Sequence, residues 1–260
     1  MLRALRTLFG VHWERRKLAA FDVSNFLTEQ ERFFEQAGLN FEDAVRITTD
    51  RFNISARTDS SMHYEVVAAL ITQKSIRKIL EIGTQTGRFA RFIAELADDV
   101  IVTTIDLPVG DARFDNATHR NMDAVNVSER LSPSHQLRNE NLAGLSNVTF
   151  IEMNSVQLTN HSQTYDLVFV DGDHTFPVVV IDAMNALRLV NATGWILFDD
   201  LRPRGGATSE FGGAETTVLL DVLEAAGIIE VFRFHKRLEA NRLYDPANRK
   251  MIALARRRIP

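Results

Sequence analysis

From about residue 76 the chain alternates short, continuously apolar runs with amphipathic stretches, and the apolar runs tend to end on glycine or on an acid. Ile79-Leu80-Glu81-Ile82 ends at Gly83, Val100 to Ile105 at Asp106, Leu167-Val168-Phe169-Val170 at Asp171, and Trp195-Ile196-Leu197-Phe198 at Asp199-Asp200. Val148-Thr149-Phe150-Ile151 is a further run of the same kind. Between them Phe89, Phe92, Ile93 and Leu96 repeat at helical spacing, and a Val/Ala/Leu-rich helix is expected from about 177 to 190. Continuous apolar strands separated by amphipathic helices predict an α/β fold with a doubly wound, mostly parallel sheet covered on both faces. Ile228 to Phe234 and Lys250 to Ala255 read as two last strands forming a hairpin. Sheets of this kind bind ligands beyond the carboxyl ends of their strands, where strand order reverses. Asp106, Asp171, Asp199 and Asp200 all fall at such ends.

The rest of the chain is bounded by composition. Its 260 residues suit one large domain, or one domain with an appendage. A helical N-terminal extension is expected over 1–60 and an α/β domain over 61–260. Cysteine is absent, which excludes disulfides, cysteine-ligated metal and a cysteine nucleophile. A reducing cytoplasm is the expected setting. No stretch approaches the roughly 20 apolar residues of a membrane span, and the N-terminus has no continuous apolar signal region. Net charge is −4 but uneven: residues 1–17 hold five basic residues and one acid, and residues 232–260 hold nine and two. Basic ends can meet nucleic acid or an anionic surface. The plainer reading is solvated strand and helix ends.

The turn Glu81-Ile82-Gly83-Thr84-Gln85-Thr86-Gly87 is the first candidate site. Two glycines bracket a strand-to-helix turn, where backbone freedom and unpaired helix N–H groups favour a ligand. A tight turn without a ligand has the same outline. Three residues sharpen the reading. Glu81, two residues before Gly83, suits an ammonium group better than a pyrophosphate. Asp106, with the adjoining Leu107, ends the next strand, where a carboxylate grips both hydroxyls of a ribose. Asn154 and Ser155 follow the third strand, where adenine contacts form. Dinucleotide and phosphate loops compete, but neither G-x-G-x-x-G nor G-x-x-x-x-G-K-[ST] is present.

Leu80 to Gly87 resembles motif I of the class I S-adenosylmethionine (SAM)-dependent methyltransferases, a resemblance that extends over about residues 60–258. It implies a seven-stranded, Rossmann-like sheet ending in an antiparallel hairpin. It also implies that Gly83, Thr84 and Gly87 wrap the methionine part of SAM, that Glu81 lies beneath the loop near the amino group, and that Asp106 holds the ribose. Asp171 also borders the expected cofactor site. Gln85 stands where glycine is commonest in that motif.

The acidic strand ends carry the chemistry. Adjacent strands lie about 4.8 Å apart, so if the fourth and fifth strands are neighbours, Asp171 can meet Asp199 and Asp200. Three carboxylates together require protons or a cation, and all-oxygen donors favour Mg²⁺, Mn²⁺ or Ca²⁺. Because side chains alternate along a strand, Asp199 and Asp200 converge only if the chain bends there. An acidic rim without metal is the alternative. Asp171-Gly172-Asp173-His174 with Asp199-Asp200 resembles the metal-dependent O-methyltransferases of the catechol and macrolide-sugar kind. By that resemblance Asp171, Asp199 and Asp200 hold Mg²⁺, and Asp173 or His174 is the base. As alternatives, Asp173 is a helix N-cap and His174 a strand-end histidine bonded to backbone.

The expected partner is a small hydroxylated molecule. Residues 109–147, with His119, Arg120, His135 and Arg138, form a lid or substrate insertion in this reading, or else a surface loop. The glycine-flanked stretch from Arg202 and Arg204 to Gly213 is treated the same way. Nucleic-acid N-methylation is the disfavoured rival, for want of an Asn-Pro-Pro-Tyr-type motif. A SAM-binding module without catalysis is another. The N-terminal helices, where Leu2, Leu5, Leu8 and Phe9 share a face, are candidates for a homodimer contact.

Overall fold

A computed structural model describes residues 2–58, 60–108, 134–202, 214–246 and 249–258. Its centre is a seven-stranded sheet in the order β3-β2-β1-β4-β5-β7-β6. The strands are β1 (Lys78–Ile82), β2 (Ile101–Asp106), β3 (Val148–Glu152), β4 (Tyr165–Val170), β5 (Val190–Leu201), β6 (Ile229–His235) and β7 (Met251–Arg257). Strands β1 to β5 run parallel and β7 is antiparallel to both its neighbours, as the sequence predicts. Strand order reverses between β1 and β4, since β2 and β3 lie to one side of β1 and the later strands to the other.

Helices cover both faces, because the central strands are apolar on both. One core joins Ile79, Val102, Phe169 and Leu197 to α2 (Ser24–Gln36), α3 (Phe41–Phe52), α4 (His63–Gln73) and α5 (Arg88–Leu96). The other joins Leu80, Ile82, Val168 and Phe198 to two helices that cross the opposite face. Two sequence segments thus arrive on the first face. Phe34, Leu39, Phe41 and Ala44 of the N-terminal helices share one buried cluster with Phe89, Phe92 and Ile93 of α5. Local chemistry sets the helix limits: Asn40 caps α3 by accepting from the Asp43 N–H at 2.8 Å, and Asn53 ends it in the left-handed conformation (φ 53). α2 is pinned to the far edge of the sheet, where Gln30 accepts the His235 N–H at 2.8 Å. α1 (Leu2–Ala19) lies outside this core, with Trp13 61% exposed.

In the segment expected to form a lid, a helix occupies 134–142 (α6). His119, Arg120, Arg204 and the glycines of 205–213 lie outside the described residues. The helices of the second face are α7 (Val178–Leu189) and α8 (Glu215–Ala225), and α9 (Ala240–Tyr244) lies in the connection between β6 and β7. Among the described residues no helix is long and apolar enough to cross a membrane.

Register fixes what meets at the carboxyl edge. Ile82 pairs with Ile105 of β2 and Val170 of β4, and Val170 pairs with Phe198 of β5. The residues that follow these, Gly83, Asp106, Asp171 and Asp199, therefore emerge at one level. On the other side His235 of β6 and Leu201 of β5 both face Met251 of β7, so Lys236, Lys250 and Asp200 reach that same edge.

Candidate functional site

The loop after β1 is held from both sides. The Gly83 N–H donates to the Ile105 carbonyl and the Asp171 N–H to the Ile82 carbonyl, each at 2.9 Å. A Cβ on Gly83 (φ 103) would lie 2.2 Å from the Asp171 carbonyl oxygen. This glycine is required by the approach of two backbones. Gln85 takes a left-handed φ of 47, the conformation glycine favours. Gly87 (φ 70) closes the turn, its N–H donating to the Thr84 carbonyl at 2.8 Å, and opens α5. α6 packs over it: Asn141 donates to the Thr86 carbonyl at 2.8 Å, and the Leu142 side chain stands where a Cβ of Gly87 would project.

The carboxylates expected around this loop are ordered by it. Asp106 accepts the Gln85 N–H at 2.7 Å and the Leu107 N–H at 2.8 Å. Burial nevertheless raises it above the ordinary carboxylate range. Glu81 is 1% exposed and accepts a hydrogen bond from Thr104, whose hydroxyl is 2.5 Å from that of Thr84. Burial, with only this partner to oppose it, pushes Glu81 well above the usual range. A carboxyl so placed gains most from a cation brought against it. Asn154 and Ser155 begin a short 3-10 helix, in which Asn154 accepts the Val156 N–H at 2.9 Å and the Ser155 carbonyl accepts from Asn185 at 3.1 Å. Arg138 of α6 is buried, its guanidinium 4.0 Å from the centre of the Phe150 ring.

The strand ends of β4 and β5 bring Asp171, His174 and Asp199 together, with one ligand atom from each within 4.8 Å of the others. His174 Nε2 is 3.5 Å from Asp171. Burial and the neighbouring Asp199 push Asp171 up to about 7. Burial alone would lower His174, but Asp171, Asp199 and Asp200 overcome it and raise the imidazole above 6.5. Asp173 turns away: it accepts the Thr175 N–H at 2.9 Å and the Thr175 hydroxyl at 2.7 Å, a local turn leading into α7. The two base candidates are thus separated by geometry, and His174 is the one that faces the acids.

Asp200 does not join Asp171. Its left-handed backbone (φ 53) interrupts the β5–β7 register, and its carboxylate faces two lysines that sequence reasoning passed over. Lys236 Nζ is 2.5 Å from both Asp199 and Asp200, and Lys250 Nζ bonds the second oxygen of Asp200. The ammoniums outweigh the effect of burial and hold both aspartates below the ordinary range. Asp199 Oδ1 remains buried without a partner. The signal lay in the basic composition of 232–260, which sequence reasoning assigned to an anionic partner or to solvated ends and not to the strand-end acids. His63 was missed too. It opens α4, packs on Phe89 and Phe169, and is pushed down to about 4 by burial.

A glycine-bracketed turn after β1, the Asp106 carboxylate that accepts from it and an acid–histidine cluster lie together at the carboxyl edge of parallel strands. Residues 80–201 match the family described as Methyltransferase domain. That stretch carries a SAM-dependent methyltransferase domain. Among curated protein sequences none matches it. Solved structures share its fold. The SAM complex of TomG from Streptomyces achromogenes, an O-methyltransferase of tomaymycin synthesis, is 16% identical at a TM-score of 0.53, covering 88% of this chain and 98% of that one. A candidate O-methyltransferase from Klebsiella pneumoniae is 19% identical at 0.54, covering 84% and 90%. The SAH-bound methyltransferase PaMTH1 of Podospora anserina is 16% identical at 0.50, covering 84% and 88%.

The methyltransferase does not fit the three-carboxylate Mg²⁺ centre expected from sequence. Both oxygens of Asp200 and one of Asp199 are taken by ammonium groups. The cluster that forms includes an imidazole, a donor better matched to transition metals than to Mg²⁺.

Proposed function

We propose that this methyltransferase moves the methyl group of SAM to a hydroxyl oxygen of a small molecule, with His174 as the base. The observation that carries the reading is the Asp171–His174–Asp199 cluster, set beside Gly83 by the backbone contact with Asp171. O-methyl transfer by TomG, a protein of the same fold, is in keeping with it.

SAM supplies an electrophilic methyl carbon on a sulfonium. Gly83, Thr84 and Gly87 form the loop against its methionine part, Glu81 faces its ammonium from below, Asp106 and Leu107 border the ribose, and Asn154 and Ser155 the adenine. Asp199, buried beside the imidazole, holds negative charge that stabilises the imidazolium formed when the base takes the proton. Asp171 orients the imidazole through Nε2, leaving Nδ1 to take the hydroxyl proton. As the proton leaves, the oxygen forms its bond to the methyl carbon, the carbon–sulfur bond breaks, and its electron pair stays on the neutral thioether. The residues align oxygen and methyl carbon, which is the main catalytic contribution expected for such a displacement.

The test is turnover of labelled SAM against a panel of small phenols, sugars and hydroxy acids. His174→Gln is expected to lower kcat by about 10²- to 10⁴-fold while SAM affinity stays unchanged. The base must be neutral to act, and the acids around it raise its titration above 6.5, so kcat is expected to rise with pH through that titration. A His174→Gln variant of normal activity, or a flat profile between pH 6 and 8 at rate-limiting chemistry, would remove His174 from the reaction. Salt-sensitive methylation of RNA with every small hydroxylated acceptor inert would replace the reading altogether.

A further inference from the structure

The mouth of the β6/β7 connection holds a cavity of about 100 Å³ lined by Lys236, Arg237, Arg242, Arg249 and Lys250. Every one of these residues is basic. They come from three places: Lys236 and Arg237 follow β6, Arg242 lies in α9, and Arg249 and Lys250 lead into β7. The two lysines are neutralised by Asp199 and Asp200. The arginines are not satisfied in this way. Arg249 donates to the Leu243 carbonyl at 2.5 Å and lies over the Phe26 ring, and Arg242 is 3.7 Å from Glu239. Yet Nε of Arg237, of Arg242 and of Arg249 are all buried without a hydrogen-bond partner.

The buried Nε donors of Arg237 and Arg249 have no acceptor, and that of Arg242 only the long 3.7 Å contact with Glu239; such donors are costly to leave unpaired, and an anion entering the cavity offers them acceptors. The guanidinium fork matches the oxygens of a phosphate or carboxylate in two-point contact, and the volume admits one such group rather than a run of phosphates. The cavity also shares a wall with the reaction site. Lys236 lines it and is 2.5 Å from Asp199, which belongs to the cluster with Asp171 and His174.

We propose that this cavity is an anion subsite, and that the methyl acceptor is a small hydroxylated molecule carrying a compact oxyanion, a phosphate monoester or a carboxylate. The subsite holds the anionic end while the hydroxyl reaches His174, beside Asp199. The identity of the acceptor rests on the O-methyl-transfer reading above. The subsite itself does not.

Calorimetric titration of the full chain with inorganic phosphate and with acetate, at low ionic strength, tests the subsite. Saturable binding of at least one is expected. Arg237→Gln should weaken it at least 10-fold, with SAM affinity unchanged, and Arg242→Gln, at a more exposed position, serves as a second variant if the first folds poorly. Absence of binding by both anions, or binding that neither variant weakens, overturns the subsite. A matched set of phenols, neutral or bearing a phosphate or a carboxylate, tests the acceptor class and tells the two anions apart. Lower KM for a charged member, lost in Arg237→Gln, supports the proposal, and equal kcat/KM for neutral and charged members overturns its acceptor part. If no phenol, sugar or hydroxy acid is methylated while phosphate binding still depends on Arg237, the subsite stands and the O-methyl-transfer reading falls.

Discussion

Gly83→Ala is expected to abolish SAM binding and to destabilise the fold by about 3 kcal/mol or more. The new Cβ would sit 2.2 Å from the Asp171 carbonyl oxygen and 2.7 Å from its carbonyl carbon, so backbone must move at the ends of β1 and β4. No side-chain rotation relieves such a contact, and φ of 103 is itself unfavourable for alanine. The displaced segments carry Asp171 and the cofactor loop, so cofactor binding and stability fail together. Gly144 provides the control. Its φ is 78 but nothing lies within 4 Å of the added Cβ, so Gly144→Ala is expected to cost only about 1 kcal/mol. Urea denaturation and SAM calorimetry measure both. If Gly83→Ala matches the Gly144 variant and binds SAM normally, the close approach of β1 and β4 is not as described.

The second large effect concerns the charge network at β5. Lys236→Met is expected to destabilise the protein by about 3–5 kcal/mol, because Asp199 and Asp200 lose their shared cation while still buried. Side-chain exposures are 12% for Lys236, 6% for Asp199 and 16% for Asp200, so solvent screens little of this. Both aspartates titrate below their ordinary value in the folded chain. Their contribution is therefore complete above about pH 4 and lost as pH falls below it, and Lys236→Met should move acid unfolding to higher pH. Adding Asp199→Leu to Lys236→Met is expected to recover part of the loss, since it removes one uncompensated charge. A single variant that unfolds like the parent in both urea and acid would show that the network contributes little.

The same network bears on metal. EDTA is expected to leave methyl transfer intact, and Mn²⁺ paramagnetic resonance should detect no tight site in the parent protein. Lys236→Met, which frees carboxylate oxygens beside His174, is expected to gain Mn²⁺ affinity. Activity lost to EDTA and restored by Mg²⁺ would return Asp171 and Asp199 to the role of metal ligands.

How far the site was legible follows from the distances in sequence that separate its parts. Strand ends are local events: an apolar run stops at Gly83, Asp106, Asp171 or Asp199, and parallel pairing places those stops side by side. That much follows from periodicity and from the rule for the carboxyl edge of parallel sheets. Asp173, a base or a helix N-cap by sequence, is neither placed with the acids nor a cap of α7, whose N-cap is Pro177, and bonds Thr175 two positions away instead.

Lys236 and Lys250 were not legible. They lie 36 and 50 positions from Asp200, and they reach it only because β7 inserts antiparallel between β5 and β6. The direction taken by Asp200 depends on one left-handed residue in an interrupted ladder, and no strand pattern encodes that. The sequence by itself determined the sheet, its carboxyl edge and the glycine-bracketed loop at that edge, because periodicity and turn chemistry act over a few residues. Only the tertiary structure decided which charges face one another, because electrostatic pairing depends on register between strands far apart in the chain. That register puts ammonium groups on the carboxylates expected to hold a metal, and it gathers five basic residues around one cavity.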